Sequence, residues 1–181
     1  MKKNKLLVII PIIILLLILI GIITGYYILK YLYPRGYSEY VEKYSEKYEV
    51  EPELIYAMIK EESNFDKAAN SSKAAKGLMQ LVQSTAEEVG REIGISEIDL
   101  NNPEINIEIG TKYISDLINR YDGNIALGIT AYNAGIGNVD NWIRQGIINE
   151  EGTNLENIPF KETNMYLRKV LRTYELYKNL Y

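Results

Sequence analysis

The sequence predicts an all-α fold, a helical domain of about 145 residues behind a single N-terminal transmembrane helix. Three observations predict it. Apolar residues recur at helical spacing along nearly the whole chain, and no segment alternates with the period of two that marks a half-buried strand. The run from Leu6 to Leu29 carries no charge. Helix boundaries are punctuated by Pro52, by Asn102-Pro103 and by Gly135.

The uncharged run comes first. At ~1.5 Å per residue it extends about 36 Å, more than the ~30 Å hydrocarbon core of a bilayer. It has no polar face to offer water, so a buried core helix is a poor alternative. Pro11 lies within it, which a membrane helix tolerates. The run exceeds the apolar core of a cleavable signal, and no clear small-x-small cleavage site follows. Residues 1–30 therefore read as an uncleaved transmembrane anchor, with a cleaved signal peptide as the alternative. Lys2, Lys3 and Lys5 precede the run while only Lys30 and Arg35 follow closely. This positive-inside bias places the N-terminus in the cytoplasm and the rest of the chain outside, as a single-pass protein of the cell membrane.

Residues 31–37, "YLYPRGY", form a short linker with Pro34 and Gly36 as breakers. Residues 38–181 form the domain. Ser38 is a candidate cap for a helix carrying Tyr40, Val41, Tyr44 and Tyr48. Pro52 suits a first helical turn and opens a helix to about Asn64. Ser84 or Thr85 is a candidate cap for "AEEVGREIG". Asn102-Pro103 begins a long helix to Tyr121, with Ile109, Tyr113, Ile114, Leu117 and Tyr121 at helical spacing. "NIALGITAYNAG" reads as a buried helix closed by Gly135, and "GNVDNWIRQ" as another short one. Gly146 to Pro159 is a loop, and Phe160 to Tyr181 a final helix.

Composition then narrows the chemistry. Without Lys2, Lys3 and Lys5 the chain holds 17 basic and 24 acidic side chains, a net −7. So acidic a domain is a poor nucleic-acid binder. There is no cysteine and no histidine. That excludes disulfides, thiol nucleophiles, a Ser-His-Asp triad and an H-E-x-x-H metal site. No glycine-rich phosphate-binding pattern occurs either. Acid-base work must fall to carboxylates, tyrosines or lysines, and no metal or cofactor is implied. Glycoside cleavage is the commonest setting for carboxylate chemistry.

One pair of carboxylates is separated by helical phase. On the helix after Pro52, taking ~100° per residue from Leu54, the residues Leu54, Ile55, Met58 and Ile59 centre near 70°. Glu62 falls near 80°, in the middle of that stripe, by the same measure. Glu61 falls near −20°, at its edge and beside solvent. A carboxyl aimed along the buried face must be paired or kept protonated, and desolvation is how a glutamate becomes a general acid near neutral pH. The plain alternative is that Glu62, at the helix end, reaches water or a lysine.

"EESNFDKAANSSKAAKGLMQLVQSTA" (61–86) resembles the first signature of the soluble lytic transglycosylase family, whose fold is similar to goose-type lysozyme. "NPEINIEIGTKYISDL" (102–117), "AYNAGIGNVDNW" (131–142) and "ETNMYLRKV" (162–170) resemble its later motifs, in the same order. The resemblance covers the chain from about residue 47 to 178. The resemblance implies that Glu62, directly before Ser63, is the catalytic acid. It also implies that Ser71, Gln80, Tyr132 and Glu162 line a sugar cleft, joined by Met79, Asn133 and Tyr166. For Met79, Tyr132 and Tyr166 spacing alone favours core packing. For Ser71, Gln80 and Asn133 the plain reading is capping or turn hydrogen bonding. Two departures bear on the loop: Val82-Gln83 replaces Met-Pro, and Ala74 stands where the family has glycine. If that position needs positive φ, the loop is expected to shift.

The implied activity is cleavage of the β-1,4 bond between N-acetylmuramic acid and N-acetylglucosamine in peptidoglycan glycan strands, by one carboxyl and with 1,6-anhydro product ends. A lysozyme-like hydrolase on the same fold is the alternative enzyme, and a non-catalytic wall-binding module the alternative outside catalysis. The implied partners are the glycan strands and, through residues 6–29, the cytoplasmic membrane.

Overall fold

The computed structural model describes residues 2–181, with side chains from Ile9 onward. Met1 and the side chains of Lys2, Lys3 and Lys5, on which the expected orientation rests, lie outside the described residues. The described chain is all-helical apart from two isolated bridges, Asn70–Lys76 and Lys76–Leu81. It divides into two units, one of Met1–Pro34 with Leu180–Tyr181 and the other of Arg35–Asn179.

The first unit is built on α1 (Lys2–Leu32), whose stretch Ile9–Leu32 is long and apolar enough to cross a membrane and buries none of its residues. Pro11 lies inside the helix. At the C-terminal end of α1 the Lys30 ammonium lies 4.9 Å from the Tyr26 ring centre and 4.6 Å from that of Tyr181.

In the second unit come α2 (Ser38–Tyr48), α3 (Pro52–Ser63), α4 (Gln83–Glu92), α5 (Pro103–Arg120), α6 (Ile125–Ala134), α7 (Ile136–Arg144) and α8 (Lys161–Leu180), with a short 3-10 turn at Leu155–Asn157 before the last. The helix after Pro52 starts where proline costs nothing, since its missing N–H is unneeded there. Asn102 caps α5, its side chain accepting from the N–H groups of Glu104 and Ile105. Gly135, at φ 85°, ends α6 and starts α7. Two expected caps fail. Ser38 lies inside α2 behind Tyr37, and α4 begins at Gln83, before Ser84 and Thr85, behind Val82. Neither start has a side-chain cap, so both depend on packing instead.

The central helix is α3. Leu54, Ile55, Met58 and Ile59 are buried as the stripe requires, but so are Tyr56 and Ala57 on the other faces. Such all-round burial marks a helix enclosed by its neighbours. The Tyr56 ring stacks on Tyr177 of α8 with centres 5.6 Å apart, and its hydroxyl donates to Glu42 of α2 at 3.0 Å. Around this core α5 packs against α2, α4 and α6. Enclosure is what makes the end of α3, at Glu61 and Glu62, a place where carboxyls lose water.

Candidate active site

Three segments meet at the end of α3: the α3–α4 loop, the C-terminal half of α6 and the first turns of α8. The loop is anchored from below. Asn106, fully buried on α5, accepts from Met79 N at 2.8 Å and donates to the carbonyls of Lys76 and Leu100, both at 3.0 Å. Gly77, at φ 76°, is required here because a Cβ would strike the Asn106 amide and the Leu100 carbonyl. Four non-glycine residues between 64 and 80 adopt positive φ: Asn64, Phe65, Ala74 and Gln80. Ala74 adopts the left-handed conformation at φ 60°, so the alanine bears a strain that glycine would not.

Glu62 is half-buried and its pKa is pushed up to about 7. Desolvation is the main cause, and the negative charges of Glu61 and Glu162 add to it. The Tyr166 hydroxyl pulls the other way by favouring the ionised form. That hydroxyl is buried and has no partner at standard hydrogen-bond geometry, yet it lies close enough to the carboxyl to stabilise its charge. Burial and the Glu62 charge raise the hydroxyls of Tyr166 and Tyr132 well above their ordinary range, so both stay protonated at neutral pH. Tyr132 is oriented twice, by donating to the Met79 carbonyl at 2.8 Å and by tilting against the Tyr113 ring at 5.2 Å.

The other expected residues divide. The Ser71 hydroxyl accepts from the N–H groups of Lys73 (3.2 Å) and Ala75 (3.1 Å), which is the turn role. The Gln80 amide donates to the carbonyls of Ala69 and Gly77 and so braces the loop. Asn133 accepts from Thr163 Oγ1 at 2.7 Å, joining α6 to α8. Met79 follows the core packing that spacing alone favours. Its side chain is fully buried, packed where Gly110 leaves room for its sulfur, so it reaches the site only through its backbone. Glu162 is exposed and ion-paired with Lys73.

Sequence reasoning missed the supports. Asn106 was inside a quoted motif without a role, although a lone asparagine in an apolar helical stripe is a signal for a buried clamp. Glu61 also differs from expectation: it is half-buried, not beside solvent, and accepts from Thr173 Oγ1 at 2.7 Å. Among the described residues no group of three or more His, Cys, Asp or Glu is arranged to hold a metal ion. An open depression of about 680 Å³ lies elsewhere, lined by residues such as Arg120, Tyr121, Asp140 and Arg144. Arg120 and Tyr121 there are already bound to Asp140.

Residues 39–152 match the model of the transglycosylase SLT domain. The soluble lytic murein transglycosylase of Escherichia coli K12 is 32% identical over 134 residues, 71% of this chain and 21% of that protein. The membrane-bound lytic murein transglycosylase C of Serratia proteamaculans is 37% identical over 153 residues, 71% of this chain and 43% of that one. The chain thus spans between about a fifth and under half of the relatives it matches. Among solved structures, an inactive glutamate-to-glutamine mutant of the Pseudomonas aeruginosa lytic transglycosylase Slt superimposes with a TM-score of 0.77 at 31% identity, covering 83% of this chain and 25% of that one. The 70-kDa soluble lytic transglycosylase of Escherichia coli gives 0.75 at 28%, with the same coverage. A family match over most of the chain, with the same helical fold around a desolvated glutamate, leaves one conclusion: the chain belongs to the SLT transglycosylase family.

Proposed function

We propose that the chain is a membrane-anchored lytic transglycosylase that cleaves the N-acetylmuramic acid–N-acetylglucosamine β-1,4 bond of peptidoglycan. One observation carries this reading. Glu62 is a desolvated carboxyl with a pKa near 7, flanked by two tyrosine hydroxyls, and each carboxylate near it is already engaged. Glu61 is held by Thr173 and Glu162 by Lys73. Both contacts compete with the role that the second carboxylate of a two-carboxylate glycosidase must play, activating water or attacking the sugar.

The chemistry then runs through one group. Protonated Glu62 donates its proton to the glycosidic oxygen as the C1–O bond breaks. The N-acetyl group of the muramic sugar and the surrounding dipoles support the oxocarbenium-like charge at C1. Glu62, now ionised and favoured in that form by Tyr166, takes the proton of the muramoyl 6-hydroxyl as that oxygen bonds to C1. The glutamate is restored, and a 1,6-anhydro end forms without water. Proximity favours this route, since the attacking hydroxyl belongs to the same sugar.

In this reading residues 1–30 anchor the protein, 31–37 link, and 38–181 catalyse outside the cytoplasmic membrane as a single-pass protein. Ser71, Gln80, Tyr132, Asn133, Glu162 and Tyr166 border the strand, and Met79 shapes the cleft from within. The test is a peptidoglycan digest in ¹⁸O-water. Anhydromuramoyl ends free of solvent oxygen are expected; reducing muramic ends carrying ¹⁸O as the main product would make the protein a hydrolase. No cleavage at all by the folded chain would favour a wall-binding module.

A further inference from the structure

Glu162 and Tyr166 stand four residues apart at the start of α8, on one face of the helix. Tyr166 brings its hydroxyl to Glu62, so Glu162 is carried on the face turned toward the same carboxyl, and its charge is felt there. The α3–α4 loop sends Lys73 to meet it. Lys73 Nζ lies 2.9 Å from each Glu162 carboxylate oxygen, joining segments 89 residues apart in sequence. Both side chains are exposed, 72% and 68%. Exposed pairs add little to stability, so stability is a weak reason for this one.

The titratable groups that face Glu62 are Glu61 on its own helix, Glu162 and Tyr166 on α8, and Tyr132 on α6. Two are carboxyl groups, two are tyrosines that burial keeps neutral at physiological pH, and none is a lysine or arginine. Lys73 enters this neighbourhood only through Glu162. We propose that Lys73 is a positioning residue for the cleft: it holds Glu162 in an ion pair on the face turned toward the acid and offsets part of that carboxylate's field at Glu62. This role rests on Glu62 being the acid of the reaction. It concerns a loop residue outside the set expected to touch the glycan.

The test uses the full chain in detergent micelles at low ionic strength. The Glu62 side-chain carboxyl ¹³C resonance, identified by its loss in Glu62→Gln, is titrated in four forms: wild type, Lys73→Met, Glu162→Gln and the double variant. Lys73→Met should move the Glu62 midpoint up by a few tenths of a pH unit, and Glu162→Gln should move it down by a similar amount. The double variant should return close to wild type, and the differences should collapse near 1 M salt, where the screening length is ~3 Å. Both single substitutions break the same ion pair. A merely structural clasp would therefore move the midpoint in one direction in both, and that result, or no shift in either, overturns the proposal. The basic limb of the pH–rate profile should follow the titration. Opposite midpoint shifts with an unmoved rate profile would leave the ion-pair role standing and remove Glu62 as the acid.

Discussion

Glu61 accepts a 2.7 Å hydrogen bond from the hydroxyl of Thr173, a residue only 5% exposed, and this ties the end of α3 to α8. The next residue, Glu62, is turned to a different face and meets Tyr166 instead. Two adjacent glutamates thus occupy the same helix end in different surroundings. One closes a structural contact as a hydrogen-bond acceptor; the other is left desolvated with its proton held near neutrality.

The first prediction separates them. Glu62→Gln keeps shape and polarity but cannot donate an acidic proton, so cleavage should fall at least ~10²-fold. Glu61→Gln retains a carbonyl oxygen for Thr173 and should stay within a few-fold of wild type. Glu61→Ala strands a buried hydroxyl and should cost about 1–3 kcal/mol in stability. Peptidoglycan turnover and denaturant unfolding of the three variants check this, and a larger activity loss for Glu61→Gln than for Glu62→Gln would exclude the assignment.

The second concerns pH. Burial raises the Glu62 pKa in the folded chain to about 7, above its ordinary 4.5. Between those values the folded state binds more protons than the unfolded one, so this group's contribution is intact below about 4.5 and is lost as pH rises through about 7. Ionised, buried Glu62 therefore destabilises the fold by on the order of 3 kcal/mol at pH 8. Glu62→Gln should unfold at higher denaturant than wild type at pH 8, and the gap should close by pH 4. In the wild type, cleavage should decline as pH passes upward through 7. A gap unchanged between pH 4 and 8 would mean that Glu62 titrates at its ordinary value.

What the sequence disclosed follows from which forces are local. Apolar periodicity, the proline starts at Pro52 and Pro103 and the stop at Gly135 are properties of single helices, and each is where the pattern put it. The phase that set Glu62 on the buried stripe of α3 is also local. The same phase left Glu61 at an edge facing solvent, because nothing in α3 announces that α8, more than a hundred residues later, covers that edge. Met79 shows the same limit: whether its side chain points to cleft or core depends on the space above Gly110, a tertiary fact. Ser38 and Ser84 carry the right side chains for caps, but packing set those helix starts elsewhere.

The third prediction addresses the anchor. Because Ile9–Leu32 is apolar and unburied, the chain should sediment with membranes and resist extraction at alkaline pH. With the N-terminal lysines retained inside, added protease should digest residues beyond the linker from the outer face of intact cells stripped of wall. A mature chain beginning after about residue 20 and recovered in the medium would replace the anchor by a cleaved leader.

The last prediction contrasts two asparagines on one helix. Asn102 caps α5 through two N–H groups at its start, at 2.9 and 3.3 Å. Asn106, one turn later, is fully buried and its amide satisfies three backbone groups of other segments. Asn102→Ala removes an exposed cap and should cost about 1 kcal/mol, with turnover unchanged once the protein is folded. Asn106→Ala leaves the Met79 N–H and the Lys76 and Leu100 carbonyls without that partner, at about 1–3 kcal/mol for each group that water cannot reach. A total near 3 kcal/mol is expected, since part of the loop can relax toward solvent. The functional effect should differ in kind. The Met79 carbonyl holds the Tyr132 hydroxyl, and Tyr132 stands beside Glu62. Loosening the loop should therefore lower cleavage even under conditions where Asn106→Ala is fully folded. Tyr132→Phe, which removes the hydroxyl that bonds Met79 and lies beside Glu62, should lower activity as well, at a stability cost of about 0.5–1.5 kcal/mol. Equal stability losses in Asn102→Ala and Asn106→Ala, with turnover intact in both, would mean that the clamp does not position the site.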